Sequence, residues 1–224
     1  MTRQRELVVF DIDGTLLATD AFWLDIGRRA VATVYERHGI ERELPSDRRL
    51  LDAIGLPMTE FWLYVLPEDL HSLEPEVELE AQELEEVAFA KGLGAMYPGA
   101  RALLSDLHAA GTRLALASNC GRRYLEGFLD AFQLRPIIEE ARCLDSPGVS
   151  SKADMVRDIL AATSPGSAVM VGDRANDRES ATLNRIPFIL FAGGFLGTDP
   201  AEYDTVARDY QELRGFLLPS NDGS

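Results

Sequence analysis

Very little in this sequence could hold a soft metal or a disulfide framework. Its 224 residues include two cysteines and three histidines, and Cys120 and Cys143 fall at no spacing that a metal site uses. One possible bridge is weak ground for an oxidising compartment, so reduced thiols in the cytoplasm are expected. Positive charge is scarce as well: 22 Lys and Arg stand against 37 Asp and Glu, a formal charge of −15. Gripping nucleic acid or anionic lipid needs a basic face that displaces counterions, so neither partner is expected. No apolar run approaches the roughly 18 residues that cross a bilayer, and the amino terminus puts only four apolar residues behind a charged lead. Neither export nor membrane insertion is signalled. What the chain does have is an ordinary globular composition, 46% hydrophobic and 26% charged, and a length that suits one generous domain or a core with an insert.

Four apolar, β-rich runs, over 7–10, 114–117, 169–171 and 188–191, each end in a polar or glycine-containing turn and read as strands. Helical patterns lie between them, as over 100–110 and 152–162. Strands alternating with helices imply a parallel sheet buried on both faces, an α/β, Rossmann-like core. A shorter run over 141–144 is a further strand candidate. Between about 17 and 95 no strand pattern occurs. Phe22, Ile26, Ala30 and Val34 repeat every four residues, and Val77, Ala81, Leu84 and Ala88 follow a 4-3-4 spacing, so this stretch reads as helical throughout, broken at Gly55-Leu56-Pro57. It carries 17 acidic and 7 basic side chains, a charge of −10, which sets it apart from the rest. Seven glutamates from Glu74 to Glu86 read as the solvated outer face of its last helix, or else as a docking face for a basic partner. The expected organisation is a core of residues 1–16 and 96–218, an all-helical insert over 17–95 closed by a glycine-rich hinge at Gly92, Gly94 and Gly99, and a frayed tail over 219–224.

The first strand ends in Asp11-Ile12-Asp13-Gly14-Thr15, two carboxylates one residue apart at the edge where open parallel sheets bind ligands. Such a pair calls for a cation or hydrogen-bond donors between its members, and a hard cation such as Mg²⁺ suits it. The same pattern also serves a simple Asx turn after a strand. The third strand ends in Gly172-Asp173-Arg174-Ala175-Asn176-Asp177, where Asp177 could support a metal or cap a helix. The second ends in Ser118-Asn119, a hydroxyl where an anion would sit or, equally, a helix cap.

Taken in order, strand-end Asp-x-Asp-Gly-Thr, then Ser-Asn, then Lys152, then Gly-Asp-x-x-x-Asp resembles the four motifs of the haloacid dehalogenase superfamily. The likeness spans about residues 7–187. The helical insert resembles the cap of its phosphoglycolate phosphatase and β-phosphoglucomutase branch. This resemblance implies a Mg²⁺-dependent phosphatase of a small phosphorylated metabolite, with Asp11 as nucleophile, Asp13 as acid and base, and Ser118 and Lys152 completing the catalytic set. It implies a metal shell drawn from Asp11, Asp13, Asp173 and Asp177, Asp13 contributing its backbone carbonyl, and substrate contacts from Gly14, Thr15 and Asn119. Arg48 and Arg49, ahead of the Gly55 break, are candidates for an anionic leaving group or plain surface charges. Aspartate at position 13 argues against dehalogenation, because a departing halide needs no acid. A phosphomutase and a degenerate fold that only binds a partner are the alternatives. Relatives often carry an acidic residue where Ala18 stands, and many carry a proline after the lysine, which this chain lacks.

Overall fold

The computed structural model describes residues 5–195 and 199–218, with only the backbone of Met58 and Thr59; the expected tail over 219–224 lies outside them. Six strands form one parallel sheet in the order β3-β2-β1-β4-β5-β6. They are β1 (Leu7–Phe10), β2 (Arg113–Ala117), β3 (Ile138–Arg142), β4 (Ala168–Gly172), β5 (Phe188–Phe191) and β6 (Val206–Ala207). β1 sits at the centre, in register with β2 and β4: Phe10 lies opposite Leu116 on one side and Val171 on the other. The carboxyl ends of these three strands therefore converge on one patch of the sheet edge.

The period of two along β1 divides the core. Val8 and Phe10 join one buried apolar cluster with Leu104 and Leu107 of α5 (Ala100–Ala109) and Leu125 and Phe128 of α6 (Arg122–Ala131). Leu7 and Val9 point the other way, onto Met155, Val156 and Ile159 of α7 (Lys152–Thr163) and Ala181 of α8 (Ala175–Leu183). Alternation of faces along a fully buried strand is what places Asp11 and Asp13 just past its end.

Between β1 and α5 run α1 (Asp20–His38), α2 (Asp47–Ala53), α3 (Met58–Val65), a short 3-10 helix (Glu68–Leu73) and α4 (Glu74–Ala90). Of the expected stripes, Ile26, Ala30 and Val34 on α1 and Val77, Ala81 and Ala88 on α4 are buried in the same cluster as the first face of the core, while Phe22 and Leu84 are only partly buried against it. Trp23, Phe61 and Trp62 form its aromatic centre, with Phe61 ring centroids 5.0 Å from Trp23 and 4.9 Å from Trp62. Entry and exit segments pair with each other: Ala18 N–H donates to the Ala95 carbonyl and Tyr97 N–H to that of Leu16, both at 2.9 Å. Among the described residues no helix is long and apolar enough to cross a membrane.

One strand expectation needs correction, and one strand has no counterpart in the sequence reading. The edge strand expected over 141–144 is Ile138–Arg142, a sequence IEEAR of mostly half-exposed residues that carries no continuous apolar run. β6 is two residues long, too short to leave a pattern.

Candidate active site

Glycine makes the close approach of the carboxylates possible. Gly14 has φ +77°, and a Cβ there would fall 2.3 Å from an Asp173 carboxylate oxygen; a Cβ on Gly172 would fall 2.4 Å from the Asp177 side chain. These two glycines let the β1 and β4 turns press their acids together. Asp11, Asp173 and Asp177 each offer a carboxylate oxygen within 4.8 Å of the others, and all three are buried. Lys152, the first residue of α7, reaches between them, with Nζ 2.9 Å from Asp11 Oδ1 and 2.7 Å from Asp177 Oδ1. Ser151 caps that helix by accepting from Asp154 N–H, which fixes the start of α7 against the site. Burial alone would lower the Lys152 pKa, but Asp11 and Asp177 outweigh it and hold the ammonium well above its ordinary range.

Three buried carboxylates facing one ammonium leave charge uncompensated. Asp173 is accordingly pushed well up, first by burial and then by Asp11 and Asp177. Asp177 rises to about 6, by burial against the opposing pull of Lys152. An all-oxygen donor set of this charge fits a hard divalent cation. Asp177 also accepts from Arg174 N–H at 3.0 Å, closing the first turn of α8, so its capping and site contacts occur together.

Asp13 has a different environment. Its carboxylate is not one of the three clustered groups: Oδ1 accepts from Thr19 Oγ1 and from the Tyr124 hydroxyl, each at 2.6 Å, and Oδ2 lies 3.5 Å from Ser118 Oγ. Burial and then the Asp11 charge raise its pKa, against the two hydroxyls and Lys152. Thr19 and Tyr124 were not anticipated from the sequence. Thr19 is a lone hydroxyl six residues on, and Tyr124 comes from the first turn of α6, 111 residues away.

Asp11, Asp13, Ser118, Asn119 and Lys152 line one cavity, which the insert walls with Trp23, Gly55, Trp62, Glu78 and Glu85, and Arg123 of α6 stands at it too. The Gly55 carbonyl accepts from Asn119 Nδ2 at 3.0 Å and Asn176 Nδ2 at 3.2 Å, so the break between α2 and α3 is tied to the loop after β2 and to the first turn of α8. Gly14 and Thr15 are not among the lining residues; the Thr15 hydroxyl donates to Asp173 Oδ1 at 3.2 Å, so this pair braces Asp173.

Arg48 and Arg49 are not brought to the cavity. α2 buries Leu50 and Ala53, which turns the arginines outward. Arg48 pairs with Asp52 at 3.0 Å and its side chain is 84% exposed. Arg49 donates to the Val65 carbonyl at 2.8 Å and lies over the Tyr64 ring. The reading of the glutamate run as a solvated face also needs correction at two positions. α4 packs between α1 and α6, and the 78-82-85 spacing aims Glu78, Gln82 and Glu85 at the cavity.

Comparison with known proteins agrees with this geometry. The chain matches the haloacid dehalogenase-like hydrolase family over residues 6–182. It is similar to the tyrosine-protein kinase PtkA of Mycobacterium tuberculosis, 29% identical over 203 residues that make up 85% of this chain and 63% of PtkA, so it spans less than two thirds of that relative's length. The solved structure of PtkA from the same organism superposes with a TM-score of 0.73 at 25% identity, covering 96% of this chain and 99% of that one. CbbY from Rhodobacter sphaeroides in complex with xylulose-1,5-bisphosphate gives 0.73 at 23% identity, covering 94% and 96%. A haloacid dehalogenase-like hydrolase from Streptococcus pneumoniae gives 0.78 at 18%, covering 97% and 100%. These last two share the fold. With the family matched from β1 through α8, the stretch that supplies every acid of the sheet-edge cluster, the chain belongs to the haloacid dehalogenase-like hydrolases.

Proposed function

We propose that this hydrolase is a Mg²⁺-dependent phosphatase of small phosphate monoesters that works through an aspartyl-phosphate on Asp11. The observation that carries the reading is the contrast between two carboxylates one residue apart. Asp11 has an oxygen fixed by Lys152 and lines the cavity, which suits a positioned nucleophile. Asp13 has a raised pKa, and its two short hydroxyl contacts, from Thr19 and Tyr124, both fall on Oδ1, which leaves Oδ2, with only the long Ser118 contact, the freer oxygen to carry a proton.

In the first half-reaction an Asp11 oxygen bonds phosphorus as the ester P–O bond breaks, and Asp13 hands its proton to the departing oxygen. The products are an alcohol, the aspartyl-phosphate and an ionised Asp13. In the second, Asp13 takes a proton from water, the water oxygen bonds phosphorus, and the acyl-phosphate P–O bond breaks to free phosphate and Asp11. Ser118, Asn119 and Lys152 would receive the phosphoryl oxygens, and Gly14 and Thr15 would hold Asp173 in place. Mg²⁺ would be held by Asp11, Asp173 and the Asp13 backbone carbonyl with Asp177 in support, and would supply neutralising charge for the phosphoryl group. In this reading residues 1–16 and 96–218 are the catalytic core, and residues 17–95 are a cap that covers the leaving group. The relatives named as tyrosine kinases bear on the acceptor, since an acyl phosphate can pass to a hydroxyl as well as to water. We assign water, following the hydrolase family.

The test is phosphate release from a panel of monoesters with and without Mg²⁺. Turnover lost to a chelator and restored by Mg²⁺ supports the reading. Silence on every ester in Mg²⁺, or full activity after exhaustive chelation, sinks it.

A further inference from the structure

One wall of the cavity plays no part in the phosphoryl chemistry just described. The two tryptophans of the chain each spend their indole N–H on a cap glutamate: Trp23 Nε1 donates to Glu85 Oε1 and Trp62 Nε1 to Glu78 Oε2, both at 2.6 Å. The Gln82 amide donates to the other Glu78 oxygen at 2.6 Å. The N–H donors of this wall are thus used within the protein, and the glutamates have acceptor capacity left over.

Cations are short here as well. Beyond Lys152 the lining holds Arg123, whose guanidinium is engaged by Glu86 at 2.6 Å and Gln82 at 3.3 Å. Burial raises Glu78, and it pushes Glu85 up to about 8. Asn119 lines the same cavity at 7% exposure, and its Oδ1 has no hydrogen-bond donor among the described residues.

We infer that the alcohol released from the substrate carries a cationic amine, held by Glu85, Glu78 and Asn119 Oδ1 beside the rings of Trp23 and Trp62. The inference rests on the phosphatase reading and narrows it. A carboxylate or second phosphate on the leaving group would meet two more acids and, among the described lining residues, no cation that is not already paired. A hydroxyl would satisfy one acceptor and bring no charge to draw Glu85 into its ionised form. An ammonium brings up to three donors, draws Glu85 into its charged form, and gains from aromatic faces nearby.

Three esters of nearly equal size separate these cases: phosphoethanolamine, ethylene glycol monophosphate and phosphoglycolate, with p-nitrophenyl phosphate as a reference. In the full chain with Mg²⁺, kcat/KM is expected to fall in that order, with the amine ahead of the hydroxyl by about tenfold or more, the size of one charge-assisted hydrogen bond. Glu85→Gln should cut the amine-to-hydroxyl ratio by about tenfold, and Glu78→Gln supplies the same test if the first variant does not fold. Equal rates, or a lead for phosphoglycolate, with p-nitrophenyl phosphate still hydrolysed, overturn the inference and leave the phosphatase reading standing. Binding is read separately by tryptophan emission in Asp11→Asn, because both indoles line the cavity. Tighter binding of phosphoethanolamine without turnover by the wild type would sink the phosphatase reading alone. No discrimination there would sink the amine.

Discussion

The two walls of the cavity handle negative charge in opposite ways. At the sheet edge, Asp11 and Asp177 share an ammonium from Lys152, and Asp173 takes a hydroxyl from Thr15. On the insert, Glu78 and Glu85 take neutral indole N–H groups and, among the described residues, no ammonium or guanidinium. The first arrangement crowds three carboxylates around one fixed ammonium, which raises Asp173 and Asp177 and leaves a place for a divalent cation, as a nucleophile and a metal site require. The second lets a carboxyl stay protonated until something cationic arrives. One wall is built to react, and the other to sort what comes in.

The sharpest way to break that division is Asp11→Asn. It preserves volume and removes the proposed nucleophile, so kcat is expected to fall by about a thousandfold or more while the melting temperature stays near or above that of the wild type, since one buried charge is gone. Single-turnover assays on protein checked for deamidation by mass decide it. Near wild-type turnover would end the division. Asp13→Ala comes next. Turnover of alkyl phosphates should drop about 100- to 10,000-fold, and that of p-nitrophenyl phosphate far less, because its leaving group departs with little help from an acid. Equal losses on both at the bond-cleavage step would remove Asp13 from the acid role.

How legible each wall was in the sequence follows from the same contrast. The reacting wall is built from strand-end turns, where Asp11, Gly14, Asp173 and Asp177 sit within a few residues of one another in two short runs. The two glycines are needed there for a steric reason that is local. The sorting wall comes from helix faces. Trp23 and Glu85 lie 62 residues apart, as Tyr124 and Asp13 lie 111 apart, and a glutamate aimed inward looks in sequence like its outward neighbours. Periodicity marked Val77, Ala81, Leu84 and Ala88 as the buried stripe, of which Leu84 is only partly buried, but α4 is covered on two sides, by α1 and by α6, and a single stripe could not show the second. β3 was placed too late for a related reason: an edge strand half open to solvent has no need of apolar residues, so only the apolar run at its end over 141–144 stands out.

A smaller effect probes the sorting wall through stability. Glu85 has its pKa raised from an ordinary 4.5 to about 8. Below pH 4.5 folded and unfolded chains both carry the proton, and the shift has no effect. Between about 4.5 and 8 the unfolded chain ionises while the folded one does not, so stability falls as pH rises, by a few kcal/mol at most, and levels off above about 8. Glu85→Gln keeps an acceptor for Trp23 and cannot ionise. Its stability advantage over the wild type, measured by denaturant melts without ligand, should therefore widen from pH 4.5 to 8. A constant difference across that range would show that Glu85 titrates alike in the folded and unfolded chains and is not held protonated by the wall.

The smallest effects are expected at Arg48 and Arg49, and they test whether the insert has any cationic reach toward the cavity. Arg48 is 84% exposed and paired to Asp52 one turn away, an arrangement worth about 0.5 kcal/mol or less. Arg48→Ala should leave kcat/KM within about twofold on every ester, phosphoglycolate included. Arg49 is tied to the end of α3 through the Val65 carbonyl and the Tyr64 ring, so its loss should appear as about 1 kcal/mol of stability and not as a higher KM. The two arginines are read together by steady-state kinetics at low and high salt, where long-range attraction would show itself. A tenfold rise in KM for anionic esters, confined to low salt, would mean that these side chains steer anions into the site from a distance. The sorting wall would then admit acids that its own carboxyls cannot hold, and the contrast between the walls would reduce to a matter of local pairing.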